Sequence, residues 1–410
     1  MSDENGLGTR LRELRQEKDL GLREVAAKAE VNHGYLSQLE RGEVAQPAPA
    51  ILQKLSKGYG VPFPVLMDWA GYIEAGLSPN HERALSYLGD EVSDRELELV
   101  RAFLKAIRSG RATFPLASLD GELSPDEIER IRNYVTGLLK RADAVGHIPT
   151  PIDEAMRVAK LVSAGEVTLE PDEKRKLRHR FGDLVDYVWN RLQGVIHFRA
   201  REIWVNPEMY PLRKRFVYGH EIGHYVLPEH RELFAYLDDE KRLRADVRDL
   251  YERQANQAAI ELLAQGDSLR EEADDSPLTM NIVDDLANRY AISLQATARR
   301  IVEETKQDCA LAVSFHARGS GALMPHHLYC SRSFEQRFRW KRTGAANAVV
   351  AQCIAAARRS PFLEPLVIAD VNGRGATLEV DPVTTPRAVL VLFRALPAKA
   401  RVPEAFTPLV

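Results

Sequence analysis

Two histidines and a glutamate in the stretch FVYGHEIGHYVL have the spacing of a hydrolytic metal site. His220 and His224 are four residues apart, so on a helix their imidazoles lie on one face, about one turn from each other. Zinc accepts such nitrogen ligands and, at a catalytic site, needs a third protein ligand and an open position. Glu221 would lie beside that position, where it can take a proton from the attacking water and deliver it to the leaving amine. The alternative is a surface helix with solvated histidines.

The third ligand is expected from a second helix within a few tens of residues. The stretch ADVRDLYERQANQAAIELLAQ is amphipathic and carries Glu252 early, where its carboxylate could face the motif helix. Periodicity alone does not separate Glu252 from three other carboxylates of this region, which are Asp246, Asp249 and Glu261. His230 follows Pro228 and is predicted to lie beyond the helix, at the cleft or on the surface. Two histidines and one glutamate favour Zn2+, and Mn2+ or iron could use the same ligands.

Strands and helices must hold these groups together. Two strand-like runs, GVIHF and EIWVN, precede the motif, and LRKRFVYGHEIGHYVL has helical apolar spacing. The second run is predicted to form the sheet edge where an extended peptide would pair. An acidic, irregular stretch follows the motif, and after the helix with Glu252 comes a third helix, MNIVDDLANRYAISLQATARRIVEET.

This segment resembles the ImmA/IrrE family of zinc-dependent peptidases over roughly residues 145–303, through Arg215, Phe216, HEIGHYVL and ERQANQAAIELLA. The resemblance selects Glu252, four residues before Asn256, as the third ligand. It implies a zincin-like metallopeptidase domain of narrow specificity whose substrates are helix-turn-helix repressors. Two details depart from the family: Gly219 stands where Ala is common, and AQG replaces the usual Met-Pro after the leucine pair.

The first 70 residues predict a compact unit of five short helices. Within it, VAAKAEVNHGYLSQLERG has the features of a helix-turn-helix: small Ala26 and Ala29 for close packing, a turn with Asn32 placed to cap, and a second helix with apolar anchors. The start of that second helix would enter the major groove of DNA, where Gln38 can bond adenine. The predicted DNA-binding residues are Arg10, Arg23, Asn32, His33, Gly34, Tyr35, Ser37, Gln38 and Arg41.

Residues 8–66 resemble the XRE family of regulators, most specifically through YLSQLERG. The resemblance implies double-stranded operator DNA as a partner and a homodimer. Leu22 stands where the family carries a phosphate-binding Gln, and Arg23 is a candidate substitute. Nine Lys or Arg against ten Asp or Glu in the first 70 residues is weakly acidic for a DNA binder, so an interaction or dimerisation module remains the alternative.

The chain of 410 residues is too long for one core and predicts a multidomain, mainly α protein with α+β parts. The expected domains are residues 1–70, a helical linker region 71–144 with helices from Ser93 and Ser124, the peptidase-like segment 145–303, and a small α/β domain 304–410. A GAF-like sensor fold is the interpretation for the last domain. Its stretch MPHHLYC is interpreted as a loop, because adjacent His326 and His327 cannot share one helical face.

The composition, with 45% apolar and 28% charged residues and a net charge of -3, is that of a globular protein. The N-terminus lacks a basic segment followed by an apolar core, and no run of about 18 apolar residues is present. Three cysteines form no C-x-x-C pair or even framework. We therefore expect a cytoplasmic location without membrane contact.

Together these patterns predict a transcriptional regulator with a built-in zinc endopeptidase that cuts an XRE-type repressor under stress or DNA damage. The substrate could be the chain itself, cut in its linker, with single-stranded DNA as a candidate activating ligand. Two alternatives stay open: a transcription factor that uses a non-proteolytic peptidase-like fold as scaffold or sensor, and a broad-range peptidase whose helical domain only recruits partners.

Overall fold

The computed structural model describes residues 6–73, 123–163, 175, 194–198, 201–207, 209–236, 243–317, 322–340 and 344–396. These residues belong to two compact units. The first holds the N-terminal helices and the motif with His220 and His224, and the second holds the C-terminal sheet. None of the described helices has the length and apolarity for a membrane span.

The N-terminal module is the predicted set of five helices. They are α1 (Leu7–Glu17), α2 (Leu22–Lys28), α3 (His33–Glu40), α4 (Pro49–Tyr59) and α5 (Phe63–Trp69). Asn32 caps α3 as predicted, since its Oδ1 accepts the backbone N–H of Gly34 at 2.8 Å. Gly60 ends α4 with a φ of 64°, a conformation that glycine adopts without steric cost.

A buried ion pair joins α1 to the end of α3. Arg15 donates from Nε and Nη2 to the two oxygens of Glu40, each at 2.7 Å. The Tyr59 hydroxyl donates to the same carboxylate at 2.7 Å, and burial together with this carboxylate raises the pKa of Tyr59. The network fixes α3 against α1 and α4.

Two helices follow in the next described segment. Ser124 and Glu127 form a complete capping box at the start of α6 (Pro125–Arg141), which is the helix predicted from the sequence. α7 (Ile152–Val158) comes after it. The helix predicted from Ser93 and the turn-rich stretch after it lie outside the described residues.

Three strands make the first sheet: β1 (Val162–Ser163), β2 (Gly194–His197) and β3 (Glu202–Val205), in the order β1-β3-β2. β2 and β3 are the two predicted strands and pair antiparallel. The prediction that the second of them forms the sheet edge is wrong, because β1 pairs parallel with its other side. β2 lies at one edge of this sheet and β1 at the other.

The motif lies on α8 (Pro211–Val226), which is followed directly by α9 (Pro228–Tyr236) and then by α10 (Ala245–Ala264). Pro228 begins a new helix, since proline at the first helical position loses no hydrogen bond. The irregular stretch predicted after the motif is therefore helical up to Tyr236. Consequently His230 lies inside α9 and is fully buried, so its predicted position at the cleft or surface is wrong.

The five-helix module and the helices around the motif share one apolar core. The cluster that contains Leu36, Leu39 and Phe63 continues into Leu233, Phe234, Leu243, Val247 and Tyr251 of α9, α10 and the segment between them. Ile73 and Leu243 form an antiparallel bridge. Polar contacts lie at the rim: Gln53 Nε2 donates to Glu229 Oε2 at 3.1 Å, and Arg244 Nη1 donates to Gln46 Oε1 at 2.7 Å.

In the second unit, the long third helix predicted from the sequence is two helices, α12 (Met280–Tyr290) and α13 (Leu294–Glu304), preceded by α11 (Ser268–Asp274). Ala291 ends α12 in the left-handed region with a φ of 51°. The Ser293 side chain then caps α13 by accepting from the backbone N–H of Ala296. The apolar residues keep the same helical spacing on both sides of Ala291, so the spacing alone did not reveal the break between the two helices.

A five-stranded antiparallel sheet forms the rest of this unit. Its strands are β4 (Cys309–Phe315), β5 (His327–Cys330), β6 (Leu366–Ala369), β7 (Gly375–Thr384) and β8 (Ala388–Ala395), in the order β5-β4-β8-β7-β6. One face packs on α14 (Arg332–Phe338) and α15 (Gly344–Ala357), and α13 contacts β4 and β5. The prediction that MPHHLYC is a loop is wrong at its end, because β5 pairs with β4 there.

The three cysteines are all free and buried in this unit. Burial raises the pKa of the Cys309 thiol to about 12 and that of Cys353 to about 11. Neutral, enclosed thiols of this kind are inert toward oxidation and metal binding.

Candidate metal centre

His220, His224 and Glu252 come together with the spacing of ligands around one ion. The Nε2 atoms of the two histidines are 3.1 Å apart. Glu252 Oε2 is 3.3 Å from His220 Nε2, and Glu252 Oε1 is 3.5 Å from His224 Nε2. Ligands about 2.05 Å from a tetrahedral zinc are separated by about 3.3 Å. The three donors therefore fit a zinc-sized ion without rearrangement.

The hydrogen bond made by His220 selects its tautomer. Its Nδ1 lies 3.0 Å from the amide oxygen of Asn256, which can only accept. His220 must then carry its proton on Nδ1, which leaves the lone pair of Nε2 directed at the other two donors. Asn256 was quoted from the sequence as part of the family resemblance, but its role as the partner of a ligand was not predicted.

His224 is fully buried, and its Nδ1 lies 3.0 Å from Nδ1 of His230. Burial lowers the pKa of His224 well below its usual value. Burial likewise lowers the pKa of His230 to about 4. Both rings are thus neutral near pH 7, and neutral imidazole is the form that binds a metal.

Two of the three other carboxylates weighed as third ligands have partners elsewhere. Asp246 pairs with Arg244, Oδ2 to Nη2, at 2.8 Å. Glu261 is fully buried and accepts from Arg300 Nη2 at 2.8 Å. Asp249 does not belong to the cluster of ligand atoms. Of the four carboxylates on this helix, Glu252 is the one that the fold directs to both histidines.

Close packing of α8 on α10 sets the distance between the ligands. A Cβ at Gly223 would lie 2.8 Å from the Cβ of Ala258 and 3.0 Å from the carbonyl oxygen of Ala255, so this position accepts only glycine. At Gly219 an added Cβ would lie 3.4 Å from Ala259, which is ordinary contact. Position 219 therefore has room for the alanine that is common in the family, and the glycine found here is not required by packing.

Glu221 lies on the same helix, between the two histidines, and is 2% exposed. Its neighbour across the site is the first residue of β2, since a Cβ at Gly194 would lie 3.1 Å from Glu221 Oε1 and 2.3 Å from Val217 Cγ1. Only glycine allows this approach of strand and helix. The potential general base and an edge strand are thus adjacent.

The predicted DNA-binding residues fall into two groups. Some are engaged within the module: Asn32 Oδ1 caps α3, and Arg41 donates to Ser37 Oγ and Glu43 Oε1, each at 2.6 Å. The Arg10 guanidinium stacks over the ring of Trp69, 5.5 Å from its centroid.

The second group is directed outward or lies along the start of α3. Arg23, His33 and Gln38 are exposed, whereas Gly34 and Tyr35 are half-buried. Arg23 is on α2, next to the half-buried Leu22. The exposed face of α3 and the start of α2 therefore offer side chains of the types that contact bases and phosphates.

Comparison with known families assigns two segments of the chain. Residues 6–70 match a family described as helix-turn-helix domain. Residues 169–302 match peptidase family M78, described as IrrE N-terminal-like domain. The second match contains α8 and α10 with all three candidate ligands.

Three curated relatives are named as helix-turn-helix transcriptional regulators. The chain is 37% identical over 67 residues to the HTH-type transcriptional repressor RghR of Bacillus subtilis, covering 16% of this chain and 50% of RghR. It is 28% identical over 137 residues to the uncharacterized HTH-type transcriptional regulator RghRB of the same organism, covering 33% and 92%. It is 48% identical over 52 residues to the HTH-type transcriptional regulator DdrOP3 of Deinococcus deserti, covering 13% and 40%.

The chain thus spans about half the length of RghR and less of DdrOP3. A solved structure titled Mycobacterium tuberculosis transcriptional regulator matches 66% of this chain and 81% of its own, at 12% identity and a TM-score of 0.36. From its matched segments, the protein combines an XRE-like helix-turn-helix domain at its N-terminus with an IrrE N-terminal-like domain of peptidase family M78.

Proposed function

We propose that this protein is a transcriptional regulator that binds operator DNA through α3 and carries a zinc-dependent endopeptidase of narrow specificity. The observation that carries the proposal is the convergence of three ligand atoms at 3.1 to 3.5 Å with Glu221 on the same helix. The substrate is an XRE-type repressor, and the chain itself contains such a module.

In the reaction, a bound Zn2+ would polarise the scissile carbonyl and make water nucleophilic near neutral pH. Glu221 takes the proton from the attacking water and transfers it to the leaving nitrogen. His220, His224 and Glu252 would hold the ion, with Asn256 orienting the first of them. A peptide in extended form adds to the edge of β2, which runs beside Glu221.

DNA binding is supported by the helix-turn-helix geometry and by relatives whose names describe transcriptional regulators. Gln38 and His33 are exposed on the face of α3 that would enter the major groove. A homodimer on a two-fold symmetric operator is the arrangement that this domain type favours.

For the C-terminal sheet we propose a sensory role of the GAF-like kind. Support comes from its five-stranded antiparallel architecture with helices packed on it. Its signal would act on the peptidase, with single-stranded DNA as one candidate ligand.

The experiment compares the wild type with Glu221→Gln and His224→Ala after incubation with zinc, with and without single-stranded DNA. Fragments are measured by mass spectrometry and bound zinc by elemental analysis. We expect the wild type to cut, Glu221→Gln to keep zinc while cutting about 10²- to 10⁴-fold more slowly, and His224→Ala to lose the metal.

A tagged Glu221→Gln chain added as substrate separates cutting in trans from cutting in cis. If wild type produces no fragment of either chain that Glu221→Gln alone lacks, self-cleavage is rejected. Regulation that persists in Glu221→Gln with zinc bound would then favour the alternative, a transcription factor with a peptidase-like scaffold.

A further inference from the structure

A chain of hydrogen bonds leads from α6 to the buried ligand His224. Glu127 Oε1 accepts from Gln254 Nε2 at 3.1 Å, and Gln254 Oε1 lies 2.8 Å from His230 Nε2. His230 Nδ1 in turn lies 3.0 Å from His224 Nδ1. The second oxygen of Glu127 is already used, because it accepts from the backbone and hydroxyl of Ser124.

The donor and acceptor groups allow only one arrangement of protons along these hydrogen bonds. An ionised carboxylate only accepts, so Gln254 must turn its amide N–H toward Glu127 and its oxygen toward His230. His230 then carries its proton on Nε2 and presents a lone pair at Nδ1. His224 must donate from Nδ1 to that lone pair, which leaves its own Nε2 unprotonated and facing Glu252 and His220.

We propose that His230 is a positioning residue for the metal ligand His224, and that Glu127, Gln254 and His230 form one relay that fixes which nitrogen of His224 faces the ion. This inference rests on the metal site of the proposed function. It adds a residue from α6, in the segment interpreted from sequence as linker, to the groups that support the site.

Packing holds His230 in place for this task. Its ring stacks on Tyr251 with centroids 4.2 Å apart and an interplanar angle of 9°. Its neighbour Glu229 is tied to α6 by an ion pair with Arg130 and to α4 by Gln53. Rotation of the His230 ring away from His224 would therefore cost its stacking contact with Tyr251, while the contacts of Glu229 hold this part of α9 in place.

The first test measures zinc affinity of the full chain by competition with a chromogenic chelator. His230→Phe keeps a ring to stack on Tyr251 but removes the acceptor, and we expect the Kd for zinc to rise about 10- to 100-fold. His147→Phe is the matched control, since His147 is exposed and away from the relay, and it should bind like the wild type.

A second pair separates the relay from helix capping. Ser124→Ala removes the side-chain cap of α6 and leaves the Glu127 carboxylate in place, whereas Glu127→Ala keeps the bond to Ser124 Oγ but removes the return bond to the Ser124 N–H and the end of the relay. We expect Glu127→Ala to weaken zinc binding several-fold more than Ser124→Ala. If His230→Phe does not fold, Gln254→Met interrupts the same relay with a side chain of similar length.

Nitrogen-15 NMR of labelled histidines in the zinc-bound protein reads the tautomers directly. We expect the proton of His224 on Nδ1 and that of His230 on Nε2. A proton on Nε2 of His224, or zinc affinity of His230→Phe and Gln254→Met within twofold of wild type, would overturn the proposal. Absence of zinc binding by the wild type would instead refute the metal centre itself.

Discussion

The candidate metal centre and the recognition helix are two regions with opposite designs. At the candidate metal centre each histidine has a second, protein-supplied partner, Asn256 for one and His230 for the other, and His224 is fully buried. On α3 the side chains predicted to read DNA, such as His33 and Gln38, are exposed. The fold thus builds the first site completely, while the second needs a partner to define its contacts.

The same difference explains how strongly each region tolerates change. Ligand geometry must hold within a few tenths of an ångström, and it depends on close packing between helices. A recognition surface depends instead on keeping its helix at the right angle, while the exposed side chains remain adaptable. Substitutions that disturb packing should therefore affect both regions more than substitutions of exposed groups.

The largest loss of stability is expected from substitution of Glu40, which anchors α3. Glu40→Gln leaves the Arg15 guanidinium, 17% exposed, without its charged partner, and should lower the free energy of unfolding by roughly 3 to 5 kcal/mol. Urea denaturation at fixed zinc concentration measures this. Glu43→Gln is the control, because that carboxylate pairs with Arg41 on the exposed surface and should change stability little. Equal effects would contradict the anchoring role.

A smaller effect is expected from Gly223→Ala in the contact of α8 with α10. The added Cβ would push against Ala258 and Ala255, so we expect a loss of about 1 to 3 kcal/mol and weaker zinc binding, as Glu252 moves from the histidines. Gly219→Ala has room and gains up to about 1 kcal/mol of helix propensity. Thermal unfolding and zinc titration of the pair check this; a loss of zinc affinity at Gly219→Ala that matches Gly223→Ala would count against it.

The smallest disturbance of the fold is expected from cutting the chain between the N-terminal module and the helices around the motif. With a site for a sequence-specific protease inserted within residues 74–122, the N-terminal fragment should stay bound after cleavage. Leu233, Phe234 and Tyr251 are buried in the same cluster as the five-helix core, and each such side chain stabilises the contact by about 1.5 to 3 kcal/mol. Size-exclusion chromatography should show co-elution, and urea should separate the fragments. Separate elution in native buffer would show that the shared core does not hold.

This last expectation changes the self-cleavage hypothesis. A cut in the linker region alone would not release the DNA-binding module, because apolar contacts to α9 and α10 remain. Release would need a second event that weakens this core. Derepression by cleavage would then depend on where the cut falls as well as on whether it occurs.

Much of the local structure was readable from sequence. The caps at Asn32 and Ser124, the motif helix and the two strands that precede it were predicted from side-chain types at particular positions, and they were found. Predictions from local sequence failed where one pattern was compatible with two structures. Pro228 was interpreted as an ending but begins α9, and the continuous apolar period over residues 280–305 concealed the turn at Ala291.

By itself the sequence determined which chemistry was present: two histidines and a glutamate at helical spacing, and a capped recognition helix, because these patterns depend on residues a few positions apart. The family resemblance pointed to Glu252, but only the tertiary structure brought its carboxylate to both histidines. The tertiary structure also decided that His230 is a buried partner of His224, and that the DNA-binding module shares a core with the helices around the motif. These features join residues that are distant along the chain, and packing between helices, such as Gly223 against Ala255, sets their distances. Periodicity along one helix contains no information about the face of another.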